Sequence, residues 1–217
     1  QMRLHKKRGC TDAYVHVLRL GSQAWYHSDV VERYLPEAPE DPDHPYAKWN
    51  AWMAQGDPLL VAIEEARSVG LKVFPDLGMN VSYLDRREKL IRDHPECLVG
   101  GKSIYLDYRR PEVRDYAVLA AGELLTKYDV DGINLDFARF AANTAFDTES
   151  LIDVVRRIHN ARREAEAKWS RPLVVAVRIP SYRYHERQSA AYAGDYSEFL
   201  DALKTWAREG WVDRVQA

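Results

Sequence analysis

The segment KYDVDGINLDFARF, residues 127–140, places Asp129, Asp131 and Asp136 around a short, otherwise apolar run. Asp129 and Asp131 lie between a helix end and a strand start. Aspartate serves turns there by bonding nearby backbone N–H groups, and that is the role expected for both. Asp136 differs. It sits toward the C-terminal end of the strand, opposite the apolar Ile133, Leu135 and Phe137, on the face that also carries Asn134. A carboxylate there is costly unless it is paired or partly wet. Arg139 is the natural counter-ion, and a nearby cation would hold the carboxyl ionised. The readings are a structural Asp–Arg pair or a catalytic or substrate-holding carboxylate. As catalyst it would be the nucleophile or the stabiliser of an oxocarbenium-like transition state, with Asp76 or Glu186 as the acid.

Glycoside hydrolysis usually needs two carboxyl groups, one of them an acid whose pKa is raised by a less polar setting. Asp76, in LKVFPDLGMN, follows a strand and is expected one strand over from Asp136; its alternative role is to begin the turn toward Gly78. Glu186, in the loop SYRYHERQ, is the other candidate, although loop glutamates are mostly solvated. Arg19, Asn80 and Arg178 fall at or just beyond strand ends, where each could bind a polar ligand or serve as a buried structural partner. Trp25, Tyr26, Tyr46, Trp49 and Trp52 crowd the long loop after the first strand. Rings along a cleft suit the apolar faces of sugars; they equally well fill a small loop core.

The elements that must position these residues alternate. A helix tail runs to Gly9. DAYVHVLRL (12–20) reads as a strand and 58–70 as a helix opened by Pro58 and closed by Gly70. LKVFPD is a strand, RREKLIRDHPE a short helix, and 111–128 a long helix with Pro at its start. VDGINLDF is a strand; 148–169 is a helix with Thr148 as N-cap; LVVAVRIP, YSEFLDALKTWAREG and VDRVQA read as strand, helix and strand. Such alternation means α/β with a parallel sheet. No nucleotide-binding glycine fingerprint follows any strand. The polar inner face of GINLDFA favours a (β/α)8 barrel over a doubly wound sheet, whose strands are apolar on both faces.

Bulk properties set limits. The 217 residues, 46% hydrophobic and 29% charged, describe one ordinary globular domain, and the net charge of −2 gives no reason to expect nucleic acid or an anionic membrane. No apolar run reaches membrane-spanning length. Cys10 and Cys97 are either one disulfide or two lone thiols, and no metal-ligand spacing occurs. The opening QMRLHKKRG has neither an initiator Met nor a signal-peptide core, and reads as a processed or excised piece.

PEVRDYAVLAAGELLTKYDVDGINLDFARF resembles the glycoside hydrolase-like family of bacterial TIM barrels, which carry a PEVRDY…YDVDGIHxDxxRxP-type motif over the fourth strand. DPLLVAIEEARSVGLKVFPDL, YVHVLRLGSQAWYHSDV and DALKTWAREGWVDRVQA are similar to that family's third-strand, second-strand and sixth-strand regions, in the right order. The resemblance implies a (β/α)8 barrel, hydrolysis of a glycosidic bond in a poly- or oligosaccharide, a secreted or periplasmic setting, and neither a metal nor an organic cofactor. It maps the rim carboxylate onto Asp136 and the following Arg onto Arg139. Three departures stand out: RFAAN lacks the Pro after the Arg, FPDLGMN replaces a Trp-Asn-type ending, and no segment matches strands one, seven and eight. Residues 1–217 are thus expected to form a single partial barrel, strands two through six. Its bare sheet edges would invite self-association. The alternative function is a non-catalytic carbohydrate-binding or scaffolding barrel. An amidohydrolase or phosphate-binding barrel is less well matched.

Overall fold

The computed structural model describes residues 2–83, 87–138, 144–180 and 196–216. Arg139 and Glu186 lie outside the described residues. The elements are α1 (Met2–Lys7), β1 (Asp12–Arg19), α2 (Pro45–Gln55), α3 (Pro58–Ser68), β2 (Lys72–Gly78), α4 (Lys89–Asp93), α5 (Pro111–Lys127), β3 (Gly132–Asp136), α6 (Thr148–Trp169), β4 (Val174–Arg178), α7 (Tyr196–Arg208) and β5 (Arg214–Gln216).

All five strands run parallel in the order β1-β2-β3-β4-β5. What is established is a mixed α/β unit with a five-stranded parallel sheet, coarser than the barrel expected from the sequence. Each strand sits beside the one before it, without the reversal that marks a doubly wound sheet. Alternate residues face opposite sides. Val73, Leu77, Ile133, Leu135, Val175 and Val177 join one buried core with Ala117, Leu124, Val154 and Ile158 of α5 and α6. Burying side chains of this size contributes about 1.5–3 kcal/mol each.

Helix starts follow local chemistry. The Asp57 side chain accepts from Leu59 N, and Pro58 opens α3. The cap of α6 is Asp147, not Thr148: its carboxylate accepts from Ser150 N at 2.7 Å while Asp147 N donates to Ser150 Oγ. The capping box displaces the cap by one residue because Ser150, three positions on, completes it. The loop after β1 contains α2, a helix the sequence pattern did not suggest.

Two aspartates fix strand register by the same device. Asp131, just before β3, donates its N–H to Val73 O at 2.9 Å and accepts from Val73 N at 2.8 Å. Asp213, just before β5, makes the same pair of bonds to Val175, at 2.9 and 2.8 Å. Asp129 pairs with Arg67 and Arg171, and these hydrogen bonds hold its carboxyl down at about 2. Both front aspartates hold distant elements, rather than bonding nearby N–H groups in a turn as their position suggested.

The sheet's other face is concave and polar. The β1 residue Asp12 reaches Arg214 of β5 at 3.3 Å, and Tyr14 accepts from Gln216 at 2.6 Å. Beneath them Phe74 stacks on Tyr14 with centroids 5.2 Å apart and carries the Arg214 guanidinium 5.2 Å from its ring centre. Cys10 and Cys97 are free. Among the described residues no helix is long and apolar enough to cross a membrane.

Candidate active site

Parallel strands in register place residues of equal parity side by side on one face. One row across the concave face is His16, Asp76, Asn134 and Ala176; the next toward the strand ends is Arg19, Gly78, Asp136 and Arg178. His16 and Arg19 are three apart and would fall on opposite faces of a regular strand. A β-bulge between His16 and Leu18 absorbs the extra residue and turns both inward.

A cleft of about 190 Å³ opens between these rows, lined by His16, Arg19, Asp76, Asn80, Asp136 and Arg178, among others. Both Asp76 oxygens are engaged. His16 Nδ1 is 2.8 Å from Oδ2, and Asn134 Nδ2 donates to Oδ1 at 2.5 Å. The Asn134 amide orientation follows, since turning it would set two oxygens against each other. Its own Oδ1 is buried and has no partner among the described residues, on a residue only 2% exposed.

Asp136 is 8% exposed. Its Oδ1 accepts from Ala138 N at 2.9 Å and its Oδ2 from Arg178 Nη1 at 3.2 Å. Burial is the largest influence on it and raises its pKa; the nearby Asp76 pushes the same way, against the Ala138 N–H, Arg178 and His16. The expected pairing with Arg139 falls outside the described residues. The counter-ion in the described structure is Arg178, which remains 56% exposed.

The other expected site residues divide. Arg19 Nη1 donates to Tyr83 OH at 2.8 Å at the cleft wall. Asn80, at the cleft lining, is buried and donates to Phe137 O at 2.7 Å, tying itself to the chain just beyond β3. Trp25 stands at the rim, edge-on to His16 with centroids 5.3 Å apart, and continues to Trp49 at 6.4 Å and Trp52 at 5.7 Å beyond. Tyr26 lies elsewhere. It is fully buried and donates to Glu123 of α5 at 2.9 Å, anchoring the loop rather than facing the cleft. His16 and Tyr83 were not among the residues the sequence singled out. A polar residue on the inner parity of β1 was the available signal for His16.

A larger hollow of about 460 Å³ lies between α1 and β1, but its one carboxylate, Asp12, is already bonded to Thr11 and Arg214. Among the described residues no cluster of three His, Cys, Asp or Glu side chains could hold a metal ion.

No protein-family model matches the chain, and no curated protein matches it. Three solved structures are similar in part. A glycoside hydrolase family 18 N-acetylglucosaminidase from Paenibacillus barengoltzii shares 13% identity at TM-score 0.40, over 72% of this chain and 38% of that one. Alpha-L-fucosidase isoenzyme 2 from Paenibacillus thiaminolyticus shares 19% at 0.45, over 81% and 28%. The multi-modular, cell-surface-expressed chitinase ChiW from Paenibacillus sp. str. FPU-7 shares 11% at 0.43, over 93% and 21%. The chain thus spans well under half the length of each. All three are glycoside hydrolases, at a likeness too slight to transfer a fold or an activity.

Proposed function

We propose that this chain is the substrate-cleft portion of a (β/α)8-type glycoside hydrolase acting on a poly- or oligosaccharide, with Asp136 as general acid and Asp76 as its partner carboxylate. The observation that carries this reading is the pair of carboxyls on adjacent strands, facing one cleft in different surroundings. Such a divergence is how one site supplies both an acid and a base. Asp76 lies one strand over and two residues back from Asp136. Standard sheet spacings put their Cα atoms about 8 Å apart; the separation of the carboxyl groups themselves decides between retention and inversion.

In this mechanism the Asp136 carboxyl gives its proton to the glycosidic oxygen. The bond from that oxygen to the anomeric carbon breaks, its electron pair staying with the departing alcohol. Water adds to the anomeric carbon, and its proton passes to Asp76. A carboxylate has about four lone-pair sites; His16 and Asn134 take two and leave room for this water. Attack by Asp76 itself, followed by hydrolysis, is the retaining variant. The Trp25 edge would stack against a sugar face.

The test is reducing-end release from a panel of oligosaccharides, with product anomers followed by NMR. Asp136→Asn and Asp76→Asn should each lose at least about 100-fold in kcat, in the usual range for a general acid or base, with the far-UV spectrum unchanged. Full activity in Asp136→Asn would sink the assignment. Saccharide binding without turnover in the unaltered chain would favour the non-catalytic alternative.

A further inference from the structure

Gly78 is the one member of the Arg19–Gly78–Asp136–Arg178 row without a side chain. A Cβ there would lie 3.1 Å from Arg19 Cγ and 3.6 Å from His16 Cε1. The bare position leaves a notch between a guanidinium and the proposed acid. Arg19 and Asp136 stand two strands apart, about 10 Å between Cα atoms, which leaves room for a ligand between the two side chains.

Arg19 meets Tyr83 in two ways. Its Nη1 donates to the hydroxyl, and its guanidinium carbon sits 4.7 Å from the ring centre. The two cleft carboxyls have other partners: Asp76 has His16 and Asn134, and Asp136 has Arg178. Among the described residues no ion pair involves Arg19, and this half-buried side chain borders the cleft with no counter-charge from any of them. Its planar fork matches a carboxylate, with Nε and Nη2 still available.

Resting on the glycosidase reading above, we propose that the saccharide is acidic. A uronate carboxylate pairs with Arg19 over Gly78, and the adjoining glycosidic oxygen faces Asp136. A carboxylate fits better than a hydroxyl because only an anion offsets the cost of keeping a guanidinium partly out of water.

The test uses two matched pairs of equal length: oligogalacturonate against its carboxyl-reduced counterpart, and β-1,4-oligoglucuronate against cello-oligosaccharide. Calorimetric binding and kcat/KM are measured for the unaltered chain, Arg19→Gln, Gly78→Ala, and Lys204→Gln as a charge control on α7. The acidic member of at least one pair should bind about 10- to 100-fold more tightly, the range for a charge-assisted pair, and less so at high salt. Arg19→Gln should remove that preference. Gly78→Ala should weaken it with the charge intact, and Lys204→Gln should leave it unchanged. Equal or tighter binding of the neutral members, a preference that survives Arg19→Gln, or no binding by either pair would overturn the proposal. Acid-selective, Arg19-dependent binding without cleavage would keep this assignment and remove hydrolysis. Cleavage of neutral members regardless of Arg19 would do the reverse.

Discussion

Asp136 is kept at a cost. Its pKa is raised, so the folded protein binds its proton more tightly than the unfolded chain does. Stability therefore declines as pH rises from the ordinary carboxylate value of 3.8 through the raised folded value, and the penalty is complete above it. Asp136→Asn should accordingly raise the Tm at pH 7. The gain should shrink toward zero below the unfolded pKa, where the native carboxyl is protonated in both states. Thermal unfolding of both proteins at pH 7 and pH 3 measures this; a lower Tm at pH 7 would mean that the Arg178 contact outweighs burial. A variant that is more stable and inactive is the pattern of a functional residue held against stability. Asp136 was legible in the sequence because it interrupts an apolar strand. His16 was on the inner parity of β1 with Asp12 and Tyr14, a signal that went unused; the bulge after it breaks the two-residue period only for Arg19. Tyr26 looked equivalent to its neighbour Trp25, but its partner Glu123 is 97 positions away and leaves no local trace.

The strands and most helices were readable because each carries its own period, and α3 and α6 their own caps. The exception, α2, hides in a stretch whose aromatic and polar residues follow no clean stripe; Met53 is its one buried residue. The aspartate clamps at the starts of β3 and β5 show how pairing is fixed between elements rather than within them. Asp131 satisfies the N–H of Val73, a residue with no exposure. Asp131→Ala would strand that donor and should cost about 1–3 kcal/mol. Asp131→Asn keeps an acceptor oxygen and should recover most of the loss. Urea unfolding of the two variants checks the pair, and equal losses would show that charge, not acceptance, matters. The VD dipeptide preceding both strands was visible, but its bonds to a neighbouring strand were not, because they depend on which strand lies alongside.

Across the whole molecule, the helix-covered face supplies cohesion and the concave face supplies chemistry. The sequence conveyed that division through alternation within VDGINLDF, while the meeting of β1 and β5 across the concavity required coordinates. Arg214 contributes there twice, through Asp12 and through the Phe74 ring. Both contacts are partly exposed, so Arg214→Ala should cost only about 1 kcal/mol in urea unfolding. It should leave the acidic preference assigned to Arg19 intact. Lost preference in that variant would tie the cleft's shape to the link between the outer strands.

That link joins residues 202 positions apart. Side chains proposed for catalysis occupy residues 16 to 178, yet the Phe74 platform is covered only when residue 214 arrives. Non-local closure of this kind is slow, since chain entropy is lost before contacts reward it. During synthesis the cleft walls would therefore exist before their floor. An emerging chain would hold the Phe74 ring, which has no exposure in the finished fold, uncovered until β5 left the ribosome, a window in which a chaperone has something to grip.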